Sequence, residues 1–252
     1  MIILSKTGYD HLDMGVNRQD AAFVTGDGRL AFSHASKAEQ DSVLSHITNP
    51  IKFVLDGCGS TPHAEVGTAL FAQYFSTYSA NVNPDNFEEI ADLVMRILSN
   101  DIIPSDRFRR DNLSFTILAC LETEEDFVVK SCGDGFIIAI KRDGVLAITQ
   151  LDDAITVDGA EYPNYLVYNH IDNRESLLES HRQAIGFTTT IFPKTEYARV
   201  GVATDGFRFV TKLDHLESSR WNEALLADKG RKLSMIVNRN YPYFHDDISI
   251  CL

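Results

Sequence analysis

Positive charge is in short supply in this sequence: 23 Lys and Arg face 36 Asp and Glu over 252 residues, a formal net charge of −13. Nucleic acid and anionic membranes both call for a basic face, so neither is an expected partner. Cysteine is scarce as well. The four, Cys58, Cys120, Cys132 and Cys251, form no C-x-x-C pair and have no zinc-ribbon spacing. Reduced, partly buried thiols are expected, which points to a cytoplasmic protein. No apolar run approaches the ~18 residues of a membrane span, and the apolar stretch in MIILSKTGYDHL is too short for a secretory signal. A G-x-x-x-x-G-K-[ST] phosphate loop is missing, and with it any reason to expect a nucleotide. No repeat, low-complexity tract or Gly/Ser linker divides the chain, so it is read as a single domain over residues 1–252.

What the sequence does have is short strands. The segments 21–25 and 29–34 flank Gly-Asp-Gly, a hairpin signal. Residues 51–55 read as a buried strand. In 113–121, Leu113, Phe115, Ile117, Ala119 and Leu121 share one face. The runs 126–132, 136–140 and 145–149 suggest a meander, and 198–204 and 248–252 complete the set, the last expected inside a sheet. Helices are predicted over about 62–78, with Thr61 as cap, over about 86–101, and near 217–228. Many antiparallel strands with consecutive amphipathic helices imply an α+β protein whose helices cover the sheets. The poorly patterned stretch 150–190 reads as a lid or insertion.

Acids recur where these strands begin or end. Asp20 precedes 21–25, Asp56 closes 51–55, Asp134 lies in Gly-Asp-Gly before 136–140, Asp205 follows 198–204, and Asp246 precedes 248–252. Asp-Gly is the commonest hairpin signal, so at 133–135 a plain turn is the simpler reading, as at Asp27 and Asp143. No strand returns at once after Asp56 or Asp205, which a hairpin does not explain. If the strand ends converge, the carboxylates share a rim. Two of them ~4 Å apart repel by roughly 4 kcal/mol at an effective dielectric near 20. Oxygen ligands without His or Cys at metal spacing favour hard cations such as Mg2+ or Mn2+. Two such ions can share and activate a water for in-line attack on a phosphoryl group.

These residues in this order resemble the protein phosphatase 2C family of metal-dependent Ser/Thr protein phosphatases. The similarity runs from GYDHLDMGVNRQDAAF to HDDISICL, nearly the whole chain, and Gly8, His11, Gly15, Gln19 and Asp20 match the opening pattern of its bacterial branch. The resemblance implies an αββα sandwich, two antiparallel β-sheets flanked by helices. It implies hydrolysis of phosphoserine or phosphothreonine on proteins, including targets of a cognate Ser/Thr kinase, through a hydroxide bridging two metals. Asp56 would bridge the ions, with the Gly57 carbonyl on one. Asp205 and Asp246 would hold the other, and Asp20 would bind through water. Asp134, with Asp205, would serve a third ion. Asp247 is left out of this set.

The family pattern also has gaps here. An acid common in relatives is Gln19, and the position of a proposed histidine proton donor is Cys58, a poor general acid. The phosphate-binding arginine is missing from its usual place, leaving Arg18 as the candidate. These departures motivate an alternative, a catalytically weak or inactive domain that binds phosphoproteins as a regulator. A thiol-phosphatase reading fails because Ala64 and Ile138 stand where Cys58 and Cys132 would need arginine. A stabilising Ca2+ is disfavoured by the absence of an EF-hand loop. His63 is expected on the surface, Trp221 in the core, and Arg107, Arg109 and Arg110 in a solvated loop. His245 precedes a strand, unlike the helical His-Asp pairs of other metal hydrolases.

Overall fold

Alternation at period two gives each strand two faces, and in the central strands both faces are covered. The computed structural model describes residues 1–61, 63–103, 105–157, 159–171 and 185–252. Its strands are β1 (Ile3–Lys6), β2 (Ala21–Gly26), β3 (Arg29–Phe32), β4 (Ile51–Gly57), β5 (Phe115–Glu122), β6 (Asp126–Cys132), β7 (Gly135–Lys141), β8 (Leu146–Leu151), β9 (Ala154–Val157), β10 (Ala160–Pro163), β11 (Thr188–Pro193), β12 (Tyr197–Ala203) and β13 (Ile248–Cys251). Its helices are α1 (Tyr9–Asp13), α2 (Lys37–Leu44), α3 (Ala64–Tyr78), α4 (Phe87–Ile97), α5 (Asp106–Leu113), α6 (His215–Leu226) and α7 (Gly230–Arg239).

The strands form a five-stranded sheet, β1-β13-β12-β7-β8, a six-stranded sheet, β11-β6-β5-β4-β2-β3, and a small β9–β10 hairpin. Every pairing is antiparallel. Ala22, Val24, Val54, Leu118 and Cys120 meet Ile137, Ala139, Val200 and Val202 between the two large sheets. On the far side of the six-stranded sheet, Phe23, Phe53 and Phe115 pack with Phe71 and Phe75 of α3 and Phe87 of α4. Beyond the five-stranded sheet, Ile138 and Ile140 pack with Trp221 and Leu225 of α6 and Leu233 and Ile236 of α7. This is the expected α+β, αββα sandwich, and β13 lies between β1 and β12 as anticipated. Burial holds the Cys120 thiol up to about 11 and the Cys251 thiol up to about 12, and all four cysteines are free.

Several local expectations are corrected. The supposed meander is split: β6 belongs to one sheet and β7 and β8 to the other, so Gly133-Asp134-Gly135 crosses between sheets. Both glycines have positive φ, 106° and 128°, which only glycine adopts without strain. The α3 helix begins later than predicted, with His63 in the cap position, while Thr61 donates its hydroxyl to the Cys58 carbonyl at 2.8 Å. Leu113 ends α5 instead of starting β5. The basic run is no solvated loop. It forms α5, and buried Arg109 binds the carbonyls of Ser99 (2.8 Å), Ile103 (3.2 Å) and His170 (2.9 Å). Such a fork can satisfy three carbonyls from two chain segments at once.

The described part of 150–190 is built into the body. Tyr165, Leu166, Val167 and Tyr168 are buried in the α3–α4 core, His170 Nε2 lies 2.9 Å from Asp92, and β11 closes one edge of the six-stranded sheet. Residues 172–184 of the proposed lid lie outside the described residues.

Candidate functional site

In an antiparallel pair the end of one strand lies beside the start of its neighbour. The β4–β2 and β12–β13 pairings therefore bring the end of β4 beside the residues before β2, and the end of β12 beside those before β13. Asp20 stands just before β2, Asp56 and Gly57 are the last residues of β4, Asp205 follows β12, and Asp246 precedes β13. The inter-sheet crossing adds Asp134. Gly206 allows the close approach: a Cβ there would lie 1.8 Å from the Asp247 carbonyl oxygen.

The structure brings all five predicted aspartates into one electrostatic neighbourhood. The Asp205 amide donates to Asp56 Oδ2 at 3.2 Å. Removal from water, then the charges of Asp20, Asp205, Asp134 and Asp246, hold the Asp56 carboxyl well above its ordinary range. Asp20 is raised likewise, first by burial and then by Asp247. Burial, with Asp205 next, pushes Asp134 up to about 6, and Asp246 is raised by the same two causes. Asp20 Oδ2 is a buried oxygen with no hydrogen-bond partner.

Among the described residues, Arg208 answers this charge. Arg208 Nη1 lies 2.8 Å from Asp205 and Nη2 3.4 Å from Asp246. Its position follows from the 3-10 turn Asp205–Lys212, in which residues three apart stand on one side. The sequence offered a signal for it, a basic residue three positions after an acid at a strand end. Arg18, the residue singled out instead, donates from Nε to the Asp20 carbonyl at 3.2 Å. It makes no ion pair with the five aspartates among the described residues, and lines a separate groove with β1 and α7.

Asp247 was also passed over. It is buried, and its oxygens accept from the amides of Gly8 (2.8 Å), Gln19 (2.7 Å) and Asp20 (3.4 Å) and lie 2.9 Å from His11 Nδ1. It ties the first acidic segment to the last. With side chains alternating into β13, one of two adjacent acids has to turn inward. The bond to Asp247 raises the His11 pKa against the opposing effect of burial. Gln19 donates to the Thr61 carbonyl at 2.9 Å, linking the segment before β2 to the loop after β4. Tyr165 reaches the same region, where burial and then Cys58 keep its hydroxyl protonated. His63 and His245 are exposed.

The donor set suits hard divalent cations: oxygen ligands only, excess negative charge, and a buried carboxylate oxygen without a partner. As they stand, no three His, Cys, Asp or Glu side chains among the described residues converge tightly enough to hold one ion. Closing on an ion would require the carboxylates to draw together and Arg208 to release Asp205 or Asp246.

The fold is thus a two-sheet sandwich with a carboxylate rim at its strand ends. Residues 7–234 match the family model described as protein phosphatase 2C, and the chain belongs to that family. No curated protein matches it in sequence. Its fold is similar to the Staphylococcus aureus serine/threonine phosphatase Stp1, at 12% identity over 99% of this chain and 92% of that one, TM-score 0.57. It is also similar to the S. agalactiae serine/threonine phosphatase, at 12% over 99% and 96%, TM-score 0.58. A third similar structure is the catalytic domain of the phosphatase PstP in complex with two manganese ions, at 14% over 99% and 94%, TM-score 0.56. Among the described residues no helix is long and apolar enough to cross a membrane.

Proposed function

We propose that this protein hydrolyses phosphoserine and phosphothreonine esters on proteins with the help of Mg2+ or Mn2+. The observation that carries the reading is the convergence of Asp20, Asp56, Asp134, Asp205 and Asp246, delivered by distant segments, with the pKa values of Asp20, Asp56, Asp134 and Asp246 raised. Asp56, the Gly57 carbonyl, Asp205 and Asp246 would hold two cations, with Asp20 acting through water, and Asp134 and Asp205 would serve a third. Bound there, the cations would offset carboxylate repulsion and supply Lewis acidity to phosphate and water.

The chain's own residues do the rest. Arg208, displaced from its carboxylates, presents a planar fork that fits two phosphoryl oxygens, a role for which Arg18 is worse placed. Asp247 fixes the backbone of Gly8, Gln19 and Asp20, so the acids on both sides keep their places. No side chain is assigned to protonate the leaving group. Cys58 is a weak acid for the task, and water is the proton source.

The test is hydrolysis of a small aryl phosphate with Mn2+ and with chelator. The protein is expected to be active only with metal, and Asp205→Asn should lose at least about a hundredfold in kcat/KM without unfolding. Full turnover under chelation, or in that variant, sinks the reading. A second reading, a phosphoprotein-binding regulator, is favoured by one observation: Arg208 already bridges Asp205 and Asp246. Metal binding by calorimetry without turnover would select it.

A further inference from the structure

The five-stranded sheet ends at β1 and the six-stranded sheet at β3. Between β1, the chain after β3, α2 and α7 runs a groove of about 1050 Å3. Ile2 and Leu252 exchange both backbone hydrogen bonds, at 2.7 and 3.0 Å. Ladder alternation then directs Leu4 and Lys6 to β13 and leaves the N–H and C=O groups of Ile3 and Ser5 pointing to the open edge. Such an edge is a template for another strand.

The lining is basic in a strongly acidic protein. Lys6, Arg18, Lys37, Lys229, Arg231 and Lys232 contribute to it, and Asp228 is its only acid among the described residues. That acid is engaged by Arg199 at 3.1 Å. Lys37 and Lys232 have carboxylate partners, Asp41 and Glu223, and Lys229 also acts on Glu223, whereas Lys6, Arg18 and Arg231 have no carboxylate partner among the described residues. With 36 acids against 23 bases in the whole chain, six cations to one acid along this strand edge run against the overall balance. Exposed Met235 and half-buried Ile3 add apolar surface for alternate side chains of an incoming strand.

We infer that this groove docks an extended, acidic segment of a partner protein, which adds to β1 as an outer strand. The acidic side chains of one face would meet Lys6, Lys229 and Arg231, and backbone bonds to Ile3 and Ser5 would fix the register. The C-terminal end of β1 leads to Gly8, whose amide binds Asp247, so the docked segment runs towards the carboxylate rim. The inference does not depend on catalysis at that rim.

The probe is a fluorescein-labelled peptide of about ten residues alternating Glu and Val, followed by anisotropy with the full chain. Binding is expected to weaken about tenfold from roughly 0.05 to 0.3 M salt, and by at least as much in Lys6→Glu/Arg231→Glu. Two further peptides carry N-methyl groups on alternate amides, one set each. Strand addition predicts that one loses binding while the other stays within about twofold. Equal behaviour of the two N-methylated peptides means diffuse charge attraction and overturns the inference. So does a Lys-Val peptide that binds as well, or a dimer of the free protein through this edge. Thermal melts of the double variant confirm that it is folded, and hydrolysis of the small aryl phosphate should be unchanged in it.

Discussion

Strand β4 carries a charge at each end, and the two ends are treated oppositely. At the Lys52 end the charge is paired. The ammonium is buried, 3.0 Å from Glu122 and 3.1 Å from the Val200 carbonyl, with Lys194 3.6 Å from the same carboxylate. At the Asp56 end like charges crowd, and Arg208 is the one arginine paired with them among the described residues. Desolvation pushes Glu122 up, but Lys52 and Lys194 together hold it below its ordinary range, whereas Asp56 is held above it because burial and its neighbours act together. A fold that pairs a buried charge at one end of a strand can pair it at the other. Leaving five aspartates together disfavours the metal-free protein and makes sense if cations complete the site.

The largest expected effect exchanges these roles. Asp56→Asn should reduce metal-dependent hydrolysis by at least about a hundredfold while leaving the metal-free protein as stable as before, or more so, in urea melts. Glu122→Gln should do the reverse. It strands the Lys52 ammonium and should cost roughly 3 kcal/mol of stability, with kcat per folded molecule unchanged. If Asp56→Asn unfolds the protein while Glu122→Gln is neutral, the contrast between the two ends is wrong.

The next effect is a pH dependence of opposite sign at the two ends, measured in chelator. The folded value of Asp134, about 6, lies above its ordinary 3.8. The folded state therefore binds that proton more tightly, and stability falls as pH rises through this window. Asp20, Asp56 and Asp246 act in the same direction. His11, raised above 6.5, contributes stability that is present below that value and lost as pH climbs through its folded pKa. Glu122 is lowered from 4.5, so its contribution is present above 4.5 and lost only as pH falls through its lower folded value. Metal-free protein should thus become more stable as pH falls from about 8 to about 5. Asp134→Asn should flatten that slope by about 1–2 kcal/mol across the window. An unchanged slope would remove Asp134 from the cluster.

The aspartates were legible because each sits at the boundary of a strongly apolar strand, where a charge has few structural uses. Their convergence was not legible from spacing alone: it depends on which strands pair, and the ordered resemblance supplied that. Period two showed the strands but not which sheet each joins, so the β6–β7 crossing at Asp134 passed for a hairpin turn. Arg109 was misread because an Arg-rich run looks solvated, while its burial depends on carbonyls brought in from Ser99, Ile103 and His170. Asp247 was missed for a related reason. Its partners are backbone amides of Gly8, Gln19 and Asp20, which have no sequence signature.

The smallest effect expected is at Arg208, and it separates the two readings of the rim. The side chain is half exposed, so its ion pairs with Asp205 and Asp246 are screened and should contribute little to folding. Its two roles pull in opposite directions. As counterion to the acids it competes with metal, so Arg208→Ala should tighten apparent Mn2+ affinity a few-fold. As the fork for phosphate it assists substrate, so the same variant should raise KM for the aryl phosphate about tenfold, the worth of a charge-assisted hydrogen bond at a partly wet site. Arg208→Lys should recover the first property better than the second, because an ammonium supplies charge without the planar fork. Calorimetry and steady-state kinetics on the two variants read these quantities separately. Tighter metal binding with unchanged KM would leave Arg208 as a counterion alone and return the search for the phosphate-binding cation to Arg18.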